Sequence, residues 1–168
     1  LDKVGGEYQG VIFDFVNRLQ TGCIRHVFGK DGTLWVGQTG RGWGSAGGKE
    51  YGLQQVKWDG KTIPFSMHDV KLTKKGFRIT FTKPVDVALA EDVEKYSVER
   101  WGYHYHPKYG SPKTDLKKEN PAKVSVSKDG LEVQIEVTLE KSRVYKLNLG
   151  ALAAKDGSKM ANGFAWYT

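Results

Sequence analysis

The residues best suited to chemistry lie in one short stretch, from Trp101 to Pro112, where aromatic and polar side chains are interleaved. Its aromatic members are Trp101, Tyr103, Tyr105 and Tyr109, and its polar members are His104, His106 and Lys108. Aromatic rings pack against the apolar faces of sugar rings, while polar side chains bond the hydroxyl groups. The stretch ends in a turn signal, Gly110-Ser-Pro112. The pattern predicts a sugar-binding loop, with a packed loop as the plain alternative.

Arg41 and Trp43 form a second candidate group, inside a glycine-rich stretch over residues 37–48. We expect the cation and the ring to stack on each other, and we add both residues to the predicted ligand-binding set. A phosphate-binding loop is excluded, because no Gly-Lys-Ser/Thr follows the glycines and no βαβ unit surrounds them. The stretch is interpreted as a long irregular loop, in which Arg41 and Trp43 would be a stacked pair at the loop tip or a plug into the neighbouring domain.

The sequence predicts no catalytic residue, no metal and no cofactor. Four histidines are present, and His104 and His106 are the only closely spaced pair. On a strand this pair would point to one face and could hold copper or zinc, but no third ligand is identifiable. No Ser-His-Asp arrangement can be picked out. The simpler interpretation is therefore that this chain is not an enzyme.

Composition narrows the possible partners. The chain has 168 residues, is 39% hydrophobic and carries a net charge of +7. Its lysines are scattered and no nucleic-acid-binding motif accompanies them, so we expect no nucleic-acid partner. Diffuse positive charge is instead compatible with an acidic polysaccharide. No apolar run reaches the roughly 18 residues of a membrane span.

Two further expectations concern processing and redox chemistry. The chain starts at Leu1 without a leader sequence, so we interpret it as a mature or excised fragment. Cys23 is the single cysteine, which excludes an internal disulfide. We expect it to be a small buried apolar residue.

Turns and alternating apolar residues predict an all-β fold. Asp-Gly pairs, typical of tight turns, recur beside alternating segments. The predicted strands cover residues 33–37, 76–82, 131–139 and 144–149, and a helical turn is possible only within 87–96. A boundary is predicted at Pro64. Residues 1–63 would be a glycine-rich β segment packed on the remainder, and residues 64–168 a β-sandwich.

The last 100 residues or so resemble bacterial immunoglobulin-like domains. The resemblance rests on Phe81-Thr-Lys-Pro-Val-Asp86, Lys95-Tyr-Ser-Val98 and Val144-Tyr-Lys-Leu-Asn-Leu149. The region from His26 to Gly60 resembles the closing segment of a β-propeller. Taken as a whole, the chain is similar to the C-terminal part of large propeller proteins of the sugar-dehydrogenase type, which are found in planctomycetes, verrucomicrobia and their relatives. This resemblance implies an extracellular or periplasmic location and further domains in a larger parent protein.

The resemblance does not extend to a complete enzyme. A chain of 168 residues cannot hold a whole propeller, and no Cys-x-x-Cys-His haem motif is present. Two hypotheses follow. The first is a non-catalytic accessory module that binds a polysaccharide or oligosaccharide through its aromatic surface. The second is a structural C-terminal fragment of a propeller-type sugar oxidoreductase.

Overall fold

A computed structural model describes residues 1–40 and 47–168 and has an all-β fold. The strands are β1 Asp2–Val4, β2 Glu7–Gln9, β3 Val11–Phe13, β4 Cys23–Phe28, β5 Leu34–Thr39, β6 Tyr51–Val56, β7 Met67–Thr73, β8 Gly76–Phe81, β9 Ser97–Gly102, β10 Thr114–Lys118, β11 Lys123–Val126, β12 Glu132–Glu136, β13 Val144–Asn148 and β14 Phe164–Tyr167. One short helix, α1 Val87–Ala90, and a 3₁₀ turn at Val93–Lys95 lie between β8 and β9. The predicted all-β class, and the helical turn within 87–96, are confirmed.

The chain divides into two compact units. The larger, here called the sandwich unit, combines Leu1–Asp14 with Ile63–Thr168. The smaller, here called the inserted unit, is Phe15–Thr62.

The sandwich unit has the strand order of an immunoglobulin-like fold. One sheet has the order β11-β12-β8-β7 and the other β10-β9-β13-β14-β3. Lettered in chain order from β7, these are the D-E-B-A and C′-C-F-G arrangements of that fold, and β3 extends the second sheet beyond strand G. The sandwich expected from the sequence is thus present, with an additional strand.

A tyrosine at the start of β13 fixes the connection between the two sheets. The Tyr145 hydroxyl accepts a hydrogen bond from the Glu140 amide at 2.6 Å and donates to the Thr138 carbonyl at 3.3 Å. A tyrosine at this corner, bonded to backbone a few residues upstream, is a known feature of immunoglobulin-like sandwiches.

The core lies between the two sheets and is formed by the alternating residues expected from the sequence. Phe77, Ile79, Val133, Ile135 and Leu147 are all completely buried. Phe77 packs its ring against Tyr145 and Tyr167 at centroid distances of 5.4 and 5.3 Å. β-Branched and aromatic residues alternating with polar ones produce strands that bury one face, and this places both sheets around one core.

The first residues of the chain belong to the sandwich unit rather than to the glycine-rich segment in which the sequence analysis placed them. β3 pairs antiparallel with β14, so that Trp166 lies opposite Ile12. The pairing continues past the strands, because Gly10 and Thr168 exchange backbone hydrogen bonds of 2.8 and 3.0 Å. Strands of three residues are too short for an alternating pattern to reveal this pairing from sequence.

One side chain bonds two segments of the sandwich unit, one just before the inserted unit and one shortly after it. The Asn162 amide nitrogen donates to the Asp14 carbonyl at 2.8 Å, and its amide oxygen accepts from the Met67 backbone at 3.2 Å. Asp14 is the last residue of the first sandwich segment, and Met67 begins β7. We call this arrangement the Asn162 clamp.

The inserted unit is built on a three-stranded antiparallel sheet in the order β4-β5-β6. On one side a short polar cluster forms, where the Gln38 side chain accepts from the Thr21 amide at 2.9 Å and donates to Gln54 at 2.9 Å. Cys23 begins β4 beside a register shift and is exposed, so the expectation of a buried cysteine is wrong.

Candidate functional site

The aromatic stretch forms the long hairpin connection between β9 and β10. Gly102 pairs with Thr114, so residues 103–113 make up the loop. The loop is braced internally, since the His104 amide donates to the Ser111 hydroxyl at 3.1 Å and the Lys108 amide to His106 Nδ1 at 3.2 Å. Hairpin loops usually have two to five residues, so this one exceeds what a turn requires.

The loop displays three tyrosines. Tyr105 and Tyr109 are fully exposed, and Tyr103 is 54% exposed. His104 and Lys108 are also exposed, and His106 is half-buried. These six residues of the predicted set therefore lie on one loop.

Trp101 does not fit the predicted role of an exposed platform. It is only 2% exposed and lies on β9, before the loop begins. The Lys113 ammonium sits 3.7 Å from the centre of its ring, and Tyr103 packs edge-on at 6.5 Å. With its ring covered in this way, Trp101 supports the base of the loop, and it is corrected from a ligand-binding to a packing residue.

Arg41 and Trp43 lie outside the described residues, so the predicted stack between them remains a prediction.

The predicted histidine pair lies in the loop and not on a strand. Its His106 Nδ1 already accepts a backbone hydrogen bond. Within residues 1–40 and 47–168, no group of three or more His, Cys, Asp or Glu side chains is arranged to hold a metal ion.

A buried arginine below the loop was missed by the sequence analysis. Arg100 is 1% exposed on β9, and its guanidinium contacts Glu119 at 2.8 Å, Asp115 at 3.1 Å and Glu140. Arg143 joins the same carboxylates, at 3.1 Å from Asp115 and 3.5 Å from Glu140. The signal was available, since Arg100 shares the core-facing parity of Val98 and a charge there requires partners.

This charged cluster has a clear electrostatic consequence. The pKa of Asp115 lies below its ordinary value, mainly because the Asp115 carboxylate accepts a hydrogen bond from Arg100. Asp115 occupies the left-handed region, with φ of 51°, at a register shift in β10. An aspartate tolerates this conformation better than most residues, and the kink directs its carboxylate to the arginine.

The charged cluster borders a cavity of about 390 Å³ in the sandwich unit. Its walls include Leu72, Leu139, Lys141, Arg143 and Tyr167. Both charge signs line the cavity, negative from Glu140 and positive from Lys141 and Arg143.

No family model and no curated protein matches the chain. Three solved structures match it in part: domains 1–6 of the surface layer protein SbsC, the N-terminal part of the bacterial S-layer protein SbsC, and the S-layer protein rSbsC(31-844). Their sequence identities are 23%, 24% and 22%, and their TM-scores are 0.46, 0.45 and 0.44. Each match covers 61% of this chain, but only 13%, 22% and 13% of the solved chains. None of the described helices is long and apolar enough to cross a membrane. The chain is thus similar, in part and distantly, to domains of a surface-layer protein.

Proposed function

We propose that the chain is a non-catalytic structural module of a larger protein, in which the inserted unit supplies a sheet for other parts of that protein to cover. The observation that carries the proposal is the exposed apolar face of β4-β5-β6. Among the described residues of Phe15–Thr62, Val36 is the only buried hydrophobic side chain.

Four large apolar residues of this sheet share one face, whereas Phe28, Leu34, Val36 and Val56 lie on the other. Trp35 lies opposite Val27 on β4, and Leu53 on β6 lies opposite Gly37, two residues further along β5. Tyr51 extends the same face at Thr39. Val27, Leu53 and Tyr51 are 63%, 66% and 75% exposed, and Trp35 is 36% exposed. We call these four residues the open face.

A three-stranded sheet needs a packed hydrophobic face for stability, and this sheet leaves most of its apolar side chains in water. Propeller blades are four-stranded antiparallel sheets whose faces pack against neighbouring blades. Three consecutive antiparallel strands with an open face correspond to a blade that lacks one strand and its neighbour. This supports the second hypothesis from the sequence, a C-terminal fragment of a propeller-type sugar oxidoreductase; its extracellular or periplasmic location remains a prediction.

Sedimentation velocity of the whole chain over a concentration series tests the proposal. With the open face uncovered, we expect self-association that grows with concentration, together with binding of a hydrophobic dye. Leu53→Lys should weaken both, because it places a charge in the middle of the open face. Leu116→Lys is the matched control, since Leu116 is a strand leucine of the sandwich unit with 54% exposure. A wild-type chain that stays monomeric and binds no dye would contradict the proposal.

Glycan binding by the loop is a second candidate, supported by the full exposure of Tyr105 and Tyr109. Electrophoresis through gels that contain neutral or acidic polysaccharides measures it directly. We expect retardation in one gel that Tyr105→Ala and Tyr109→Ala each reduce about tenfold, as expected for aromatic contacts at a binding site. Tyr8→Ala is the control, because Tyr8 is 75% exposed on β2. Equal retardation of all variants would exclude the loop as the binding surface.

A further inference from the structure

The two outward faces of the sandwich unit differ in chemistry. On the four-stranded sheet, the positions that alternate with core residues are polar or charged throughout. They include Asp69, Lys71, Arg78, Thr80, Lys123, Ser125, Glu132, Gln134 and Glu136. An antiparallel sheet that packs one face on a core normally presents such a face to water.

The outward face of the five-stranded sheet carries aromatic and aliphatic residues. Trp166 on β14 lies between Ile12 on β3 and Lys146 on β13. Phe164 lies two residues away on the same strand, with its ring centre 6.3 Å from that of Trp166. Ile12 is 72% exposed and Phe164 is 41% exposed. An aromatic pair on the solvent side of a sheet has no role in the core between the sheets.

One lysine lies over one of these rings, and a second lies on the edge strand of the same sheet face. The Lys146 ammonium lies 4.7 Å from the ring centre of Phe164. Glu99 lies opposite Lys146 on one side and opposite Lys118 on the other. We call Ile12, Glu99, Lys118, Lys146, Phe164 and Trp166 the Trp166 face. Two lysines against one glutamate give it a net positive charge.

We propose that the Trp166 face binds an anionic polysaccharide, a chain of uronate sugars. A pyranose ring stacks on the Trp166 indole, and the uronate carboxylates pair with Lys118 and Lys146. This inference goes beyond the structural role proposed above, and it places glycan binding on a different surface from the tyrosine loop.

Two arguments favour this ligand over a protein partner. Lysine is depleted at the centres of protein–protein interfaces, whereas here Lys146 lies directly over the Phe164 ring. Sugar sites combine an aromatic ring with flanking polar groups, and anionic sugars add a need for positive charge. The charge of the Trp166 face is complementary to a uronate chain, while the all-polar face of the other sheet offers no ring.

Electrophoresis of the whole chain through gels that contain polygalacturonate tests the proposal, with a neutral galactan gel for comparison. We expect retardation by polygalacturonate that weakens as salt is raised, since exposed charges are screened. Trp166→Ala should reduce the apparent affinity about tenfold or more, and Trp166→Phe should keep part of it. Circular dichroism of each variant checks that the fold is retained.

Matched lysine variants distinguish binding at the Trp166 face from attraction to the diffuse positive charge of the chain. Lys118→Gln should weaken retention a fewfold, whereas Lys123→Gln, on the edge strand of the other sheet, should leave it unchanged. Equal losses from both variants, or equal retardation by polyglutamate, would overturn the proposal, because a charged polymer without sugar rings would then suffice. Equal retardation in the galactan gel would contradict the proposal that the ligand is an anionic polysaccharide. Self-association that Trp166→Ala abolishes would identify a second copy as the occupant instead.

This test is independent of the structural proposal. The self-association assigned to the open face depends on Leu53, which is not part of the Trp166 face. Loss of polygalacturonate retention in Tyr105→Ala, with Trp166→Ala unaffected, would assign the glycan to the loop and overturn the inference.

Discussion

The sandwich unit closes its hydrophobic core, whereas the inserted unit leaves its hydrophobic side chains open. In the sandwich unit, apolar residues of facing sheets meet, and positions such as Val133 and Leu147 lose all contact with water. In the inserted unit the same alternation of apolar residues makes a sheet, but Leu53 and Val27 remain more than 60% exposed. This difference indicates that strand pairing follows from the local alternation of apolar residues, while the stability of a sheet depends on what covers its apolar face.

Amide hydrogen exchange should show the largest difference between the two units. Core strands exchange only through global unfolding, whereas a sheet with little buried apolar contact opens locally. We expect amides of β8 and β12 to be protected roughly 1,000-fold more than amides of β5, the central strand of the inserted unit. Equal protection of β5 and β12 would show that the inserted unit is as stable as the sandwich unit.

Ile135→Ala tests the closed core. Ile135 is completely buried, so the substitution should lower the free energy of unfolding by about 2 to 5 kcal/mol, measured by urea denaturation. Val36→Ala, at the single buried hydrophobic position described in the inserted unit, should cost less than about 1 kcal/mol in the same transition. A larger effect at Val36 would reverse the comparison.

Trp101→Ala should separate packing from binding at the base of the loop. Its ring is buried but is covered by the flexible Lys113 side chain, which can relax into the space. We therefore expect a loss of about 2 to 3 kcal/mol, below the usual range for a buried tryptophan. Tyr105→Ala, at a fully exposed ring, should change stability by no more than about 0.5 kcal/mol. Similar losses in both variants would mean that Tyr105 is packed.

Arg100→Met should have a smaller effect on stability than Ile135→Ala, and a distinctive pH dependence. The loss should be about 1 to 3 kcal/mol at neutral pH, because the carboxylates left behind can be hydrated. In the wild type the pKa of Asp115 lies below its ordinary value of 3.8. The stability from this pair is therefore present above pH 3.8 and lost as the pH falls through the lowered pKa. Denaturation between pH 2 and 7 should show a shallower acid loss in the variant. Parallel curves would contradict the role assigned to the pair.

Much of the fold could be predicted, because alternation reveals which residues face a core. The strands around Phe77, Ile135 and Leu147 were found in this way. The pairing of β3 with β14 could not be found, since a strand of three residues is too short to show an alternating pattern.

Trp101 was misassigned because its neighbours in sequence are loop residues, whereas its burial depends on Lys113 and on the edge of Tyr103. Trp166 is half-buried on the outward face of its sheet, and it was overlooked because the sequence does not show which sheet face it occupies.

The Asn162 clamp lies where the inserted unit interrupts the sequence of the sandwich unit. One amide bonds both Asp14, which directly precedes the inserted unit, and Met67, which lies four residues after the chain re-enters the sandwich unit at Ile63. Insertions at such paired surface positions are the ones that domains tolerate, since the host fold does not depend on the path between them. In evolutionary terms, the stretch between the two clamped ends is a place where one sheet could be exchanged for another while the sandwich stays the same.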